Sequence, residues 1–249
     1  MQSKQEALMK QAADSHDTVE ILYAHCLVRF REIPPESGAE GFVEAIVQNV
    51  SAESGQRPSR PNCFRVRARY LVGCDGPAGP VARETGFKYD GFANVTQSTS
   101  FLVKSKSMSE YALRHLGASN QYQITRHGVG VGLVTHVEPD EGLWNFIGSW
   151  FHRPEEWQNK QEKTVREFMG PLDFEIHASK SWYWNFFVAR SFRRRRIFIC
   201  GDAAHSWPPI CGLGGNTGYG CASNLAWKLA AALRGWGGEL LLDSYNVER

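Results

Sequence analysis

Between Ile197 and Gly218 the sequence places a short apolar run, Ile197-Phe198-Ile199-Cys200, directly before Gly201-Asp202-Ala203-Ala204-His205. Pro208-Pro209 follows, and then Gly212, Gly214, Gly215 and Gly218 around Asn216 and Thr217. That order suits a ligand with phosphates or ring carbonyls. Glycine lacks Cβ and lets a ligand come against the backbone, and the free N–H groups of a helix opening near Asn216 attract negative charge. Asp202, at the strand end, is placed to accept hydrogen bonds from ribose or ribityl hydroxyls. If buried without such a ligand, it would favour its protonated form and serve as an acid, with His205 as partner. A helix cap is the structural role open to Asp202, and a packed turn residue the one open to His205.

A second set of proton donors lies mid-chain at Tyr122, His136 and Glu138. Nearby, a period of two puts Trp144, Phe146 and Trp150 on one face, with Gly148 leaving a gap. Such a face either packs on helices or, with Trp184 and Phe186 from the next aromatic cluster, walls a pocket for a flat ligand. The six cysteines show no CxxC spacing, and no metal site is expected.

These residues need elements to hold them. Gln5 to Ala12 reads as a helix, and Val19–Tyr23 and Cys26–Phe30 as strands. Residues 41–50 and 63–70 alternate as a hairpin around the Ser/Gly/Pro-rich loop Ser51–Pro61. Tyr70 to Cys74 is apolar without alternation, as a strand covered on both faces reads, and it runs into Asp75-Gly76. Four apolar runs over 98–151, split by polar segments, predict an antiparallel sheet. A helix over 163–169 and strand-like sequence through Ala189 follow. The chain then returns to α/β character with the buried run at Ile197 and a helix from about Asn216 to Leu233, stopped by Gly235. The predicted architecture is one discontinuous α/β domain, residues 1–86 and 190–249, interrupted by a mainly antiparallel sheet domain, residues 87–189.

A chain of 249 residues that is 42% hydrophobic can bury a large core, which excludes disorder. Its formal charge of +2, from 28 basic and 26 acidic residues, gives no field to steer a polyanion, so nucleic acid is not an expected partner. The cluster Arg193–Arg196 reads as a solvated turn before a strand. No apolar run approaches the roughly 20 residues that span a bilayer, and no leader is seen, so a cytoplasmic protein with reduced thiols is expected, with no membrane partner.

In order and spacing, GDAAH, PP, GG, NTG, NLAWKLA and LLDSY…ER resemble the flavin motif of FAD-dependent aromatic-ring monooxygenases of the phenol hydroxylase and para-hydroxybenzoate hydroxylase type. Tyr70-Leu71-Val72-Gly73-Cys74-Asp75-Gly76 is similar to the same family's strand-plus-DG motif. The resemblance spans nearly the whole chain and implies a partial flavin-monooxygenase fold with an incomplete Rossmann-like domain. If FAD binds, it implies contacts from Asp75, Gly76, Gly201, Asp202, Pro209, Gly212, Gly214 and Asn216.

The family also opens with a strand, a GxGxxG turn and a helix for the ADP half of FAD. Gly128-Val129-Gly130-Val131-Gly132 has the wrong spacing for that turn and reads as a twisted strand. Ala78 and Gly79 stand where the family carries arginine and serine, and Ala82 where it has a further arginine. Leu213, Gly215 and Cys221 stand where it carries glutamine, methionine and aspartate. These departures lead to the expectation of a flavin-free, non-redox acid/base enzyme that rearranges or cyclises a small hydrophobic aromatic or prenylated metabolite. An epoxide is the substrate that suits, since it opens once its oxygen is protonated beside an aromatic wall. Flavin-free homologues in fungal alkaloid pathways, working beside a full-length monooxygenase, are the model. The alternatives are an FAD- and NAD(P)H-dependent monooxygenase, a fragment or completed by another chain, that hydroxylates or epoxidises an aromatic or alkene substrate, and an accessory subunit that docks such an enzyme through an unpaired sheet edge.

Overall fold

A computed structural model describes residues 2–37, 40–50, 63–126, 129–149, 161–209 and 212–249. The predicted loop Ser51–Pro61 lies outside the described residues, as do Gly128, Trp150, Phe151 and Cys211. In chain order the elements begin with α1 (Gln2–Asp14), β1 (His25–Ile33), β2 (Phe42–Asn49), β3 (Cys63–Ala68), β4 (Leu71–Gly73), α2 (Pro80–Thr85) and β5 (Tyr89–Phe92). Next come β6 (Gln97–Lys104), α3 (Lys106–Tyr111) continued by a π-helical turn (Ala112–Leu116), β7 (Gln121–Arg126), β8 (Val129–Glu138) and β9 (Leu143–Ser149). The series ends with α4 (Gln161–Met169), β10 (Glu175–Tyr183), β11 (Phe186–Ala189), β12 (Arg193–Arg194), β13 (Ile197–Ile199), β14 (His205–Ser206), α5 (Leu213–Leu233) and α6 (Glu239–Glu248). Among the described residues no helix is long and apolar enough to cross a membrane.

Two compact units result, one from residues 1–15 and 93–185, the other from 16–92 and 186–249. The boundaries depart from the predicted 86/87 and 189/190, and β11 (Phe186–Ala189) lies with the α/β unit. The first 15 residues group with the sheet, and β5 belongs to the α/β unit because it pairs with β11, from Phe186↔Phe92 to Ala189↔Tyr89. Val19 to Tyr23 is not a strand. Its side chains are 40–64% exposed at Val19, Ile21, Leu22 and Tyr23, so the apolar run never gains the burial that would order it.

In the sheet unit the strands run β10-β6-β9-β8-β7, all antiparallel. Register puts Phe101, Val103, Val134, Trp144 and Phe146 on one face, and they form a core with Ala112, Val165 and Met169 from the helical segments. The opposite face carries Ser100, Leu102, Thr135, Asn145 and Ile147, each half-buried. Period-two alternation therefore gives one sealed face and one open one.

The α/β unit is built on β4 and β13, which pair in parallel, with β12 antiparallel to β13. Phe198 and Ile199 are fully buried there with Val81, Leu225, Leu242 and Tyr245. Each such side chain contributes about 1.5–3 kcal/mol by leaving water. The motif residues of the last 60 positions are clamps for this core. The Tyr245 hydroxyl donates to the Ile199 carbonyl (3.0 Å), tying α6 to the strand end. Fully buried Lys228 on α5 donates to Ser244 (2.6 Å) and pairs with Glu248 (2.8 Å). Arg193 is not a solvated turn residue: it is 8% exposed, and Glu239 and Asp243 neutralise it.

The sheet β1-β2-β3 carries Glu44, whose carboxylate takes two hydrogen bonds from Arg31 (3.0 and 2.8 Å) with Arg65 and Arg67 close by. The Arg31 hydrogen bonds, helped by the charges of Arg31, Arg65 and Arg67, hold Glu44 below its ordinary 4.5. A carboxylate depressed in the folded state stabilises above its unfolded value and loses that contribution as pH falls through its folded one. Wild-type stability is thus expected to fall more steeply below pH 4.5 than that of Glu44→Gln, as denaturant midpoints across that range will show.

Candidate functional site

β13 ends in a 3-10 turn, Gly201–Ala203, that packs on α5. Gly201 (φ +60°) and Gly218 set that approach, since a Cβ on Gly218 would already touch the Gly201 Cα at 3.6 Å. α5 opens at Gly212 (φ +64°) with no side-chain cap. The side chains of Asn216 and Thr217 turn to the helix's own carbonyls, Gly212 and Leu213, each at 2.8 Å. The first-turn N–H groups are therefore left for something else. A Cβ built on Gly214 or Gly215 meets nothing within 4 Å, so the backbone edge is open. Asp202, on the turn that packs on α5, is exposed, and among the described residues its carboxylate has no hydrogen-bond or ion-pair partner. Pro209 and Asn216 are exposed as well. The arrangement offers an acceptor for hydroxyls and a row of donors for carbonyl or phosphate oxygens.

Three expectations change here. Asp202 is exposed, so the burial that would make it an acid is absent. His205 is 2% exposed, and its Nε2 lies 3.0 Å from the Cys221 thiol; no hydrogen bond joins it to Asp202. Cys221 points into the core rather than toward a ligand, and Arg249 approaches its sulfur at 3.5 Å. Third, Asp75 is a cap: its carboxylate accepts from the Val81 N–H (2.8 Å) at the start of α2. That fold-back explains Gly79, where a Cβ would lie 2.1 Å from the Asp75 carboxyl carbon. Gly76 (φ +78°) keeps open space around it.

In the sheet unit the residues proposed as pocket walls separate. Trp144 and Phe146 are 0% and 3% exposed and sit in the core, because their strand face is the one the helices cover. Phe186 belongs to the other unit. Trp184 remains a candidate. Its indole donates to Ser98 (2.7 Å), that of Trp182 donates to Ser100 (2.9 Å), and the two rings stack at 6.4 Å and 6°. Register places Trp182, Ser98 and Ser100 on the open face. Sequence reading missed the two serines, whose alternate spacing along β6 was the available signal.

Tyr122 and His136 do come together. They line a pocket of about 450 Å³ with Ser109, Leu113, Asn120 and Asp140. His136 stacks on Trp144 (3.8 Å, 8°), and its buried Nε2 has no partner among the described residues. Desolvation holds this imidazole below its ordinary 6.5, outweighing Asp140, so it is neutral at pH 7. The Tyr122 hydroxyl donates to the Gly117 carbonyl (2.6 Å). No group of histidine, cysteine and acidic residues suited to a metal occurs among the described residues.

A parallel strand pair ending in an open glycine edge, with an antiparallel sheet inserted in its sequence, matches the fold of FAD-binding monooxygenases. The chain belongs to the FAD binding domain family, whose model matches residues 11–249. It is 34% identical over 197 residues to the tetracenomycin A2 monooxygenase-dioxygenase of Streptomyces glaucescens, covering 74% of this chain and 34% of that protein. Among solved structures, RebC-10x soaked with chromopyrrolic acid and holding 7-carboxy-K252c superposes with a TM-score of 0.76 at 25% identity, covering 96% of this chain and 42% of that one. The ternary complex of aklavinone-11 hydroxylase with FAD and aklavinone gives a TM-score of 0.81 at 24% identity, covering 98% of this chain and 44% of that one, which shows the shared fold. The chain spans about a third of the length of the curated relatives it matches.

Proposed function

We propose that this chain forms the flavin edge and the substrate sheet of an FAD-dependent hydroxylase acting on a flat, fused-ring aromatic metabolite. The observation that carries this reading is the Asp202 carboxylate, unpartnered among the described residues, on a turn that packs on the glycine-opened helix α5. Both are groups that FAD fits. Asp202 would accept from a ribityl hydroxyl, and the first-turn N–H groups of α5 would donate to ring carbonyl or phosphate oxygens. Bound FAD supplies the redox chemistry, taking electrons from a nicotinamide cofactor and passing one oxygen atom of O₂ to the substrate. Trp182 and Trp184 offer a stacking wall for a flat ring, and Ser98 and Ser100 hold that wall in place. The ligand class is drawn from relatives named for tetracenomycin A2 and aklavinone.

The second reading is the flavin-free one, an acid/base rearrangement of an epoxide or a similar strained metabolite. It is favoured by the joint placement of Tyr122 and His136 on one pocket, with an imidazole nitrogen left unpartnered. Incubation under ¹⁸O₂ with a tetracyclic phenol, and separately with an epoxide of a polycyclic alkene, separates the two. A product carrying one ¹⁸O, formed only with both FAD and NAD(P)H, is expected. An unlabelled isomer formed without either cofactor, and lost in His136→Gln, would transfer the function to the second reading.

A further inference from the structure

The sheet β1-β2-β3 holds a charged feature that neither reading uses. Arg29 pairs across with Ile46 and Ile46 with Arg65; one step along, Arg31 pairs with Glu44 and Glu44 with Arg67. Opposed residues share a face, so four arginines and a single glutamate project from the same side of three short strands. Glu44 is 7% exposed at its side chain, and both its oxygens are committed, Oε1 to Arg31 and Oε2 to Arg65 and Arg67. Arg29 has no partner among the described residues. Arg29, Arg31, Glu44 and Arg65 line an open surface cavity of about 320 Å³ together with Phe30 and Ile46. Three guanidinium groups against one carboxylate leave its walls with two surplus positive charges. Like charges gathered on one small sheet raise the energy of the empty state, and an anion relieves it.

We infer that this cavity is a binding site for the diphosphate group of a small organic ligand. The guanidinium fork matches phosphoryl oxygens two at a time, and three forks around one cavity offer more donors than a lone carboxylate can use. The two surplus charges offset two of the roughly three that a diphosphate monoester carries at pH 7. Ile46, on the same face as the arginines, gives the ligand's organic part an apolar contact.

The test is calorimetric titration of inorganic pyrophosphate, and separately of ADP, into the whole chain and into Arg29→Ala/Arg65→Ala. That double variant leaves the Arg31-Glu44-Arg67 row intact and changes only exposed side chains. Saturable one-to-one binding that weakens roughly tenfold or more in the double variant is expected. Glu44→Gln should tighten it by raising the surplus charge, and adenosine should not bind at this site. Should the double variant unfold, Arg29→Lys/Arg65→Lys keeps the charge without the forks and is expected to bind several-fold more weakly than wild type. Affinity within twofold of wild type in either variant would place any bound pyrophosphate elsewhere and overturn the proposal. Binding to anionic lipid vesicles but not to free pyrophosphate overturns it as well.

Discussion

Replacing Trp144 by alanine is expected to destabilise the sheet unit by about 3–5 kcal/mol, the cost of removing a fully buried tryptophan from a packed interior. The indole has no exposed surface, donates to Ser109 (3.2 Å) and carries the stacked His136 ring on one face. Its removal leaves a void between the sheet and α3, leaves the Ser109 hydroxyl with only its bond to the Ser105 carbonyl (3.4 Å), and frees His136. Denaturant unfolding monitored by far-ultraviolet circular dichroism measures the loss, and wild-type ligand affinity in the residual folded fraction is the expected companion result. A loss below about 1 kcal/mol together with impaired ligand binding would instead return Trp144 to a pocket wall.

Gly91→Ala is expected to cost about 2–5 kcal/mol, combining a left-handed backbone with overpacking. Gly91 has φ +119°, and a Cβ there would lie 2.0 Å from the Phe186 carbonyl oxygen, backbone that cannot swing aside. The clash falls in the β5–β11 pairing. β11 also pairs with His205 and Ser206 on β14, which follow the Asp202 turn directly. The substitution therefore reaches the candidate flavin edge through the sheet, and weakened FAD binding should accompany the lower stability. Thermal melts with and without FAD report both; unchanged melting would show that the two strands are not held at this distance.

The sequence disclosed the elements that burial pattern and glycine placement dictate. The glycine-rich turn after Ile197-Phe198-Ile199 has to be a tight strand-to-helix connection, and the alternating runs over 98–151 have to be a sheet. It could not show which sheet face the helices would cover, because Trp144 and Phe146 have the same period whether they face a core or a ligand. That choice rests on α3 and α4, elements far apart in the chain. The burial of Asp202 was equally out of reach. A carboxylate after a buried strand leaves both an interior acid and a cap open, and the 3-10 turn at Gly201 carries it to solvent. Cys221 seemed a lost cofactor contact, while in the structure it is the thiol partner of His205. Gly79 looked like a vanished serine and is instead the space into which Asp75 folds.

Titration of the purified chain with FAD, followed by flavin absorbance and fluorescence, in wild type and Asp202→Ala, tests the central claim most directly. One-to-one binding that weakens about tenfold in the variant, the loss of a charge-assisted hydrogen bond to a hydroxyl, is the predicted result. A protein that stays colourless at saturating FAD, or binds it equally well without the Asp202 carboxylate, would contradict the assignment of this edge to a flavin.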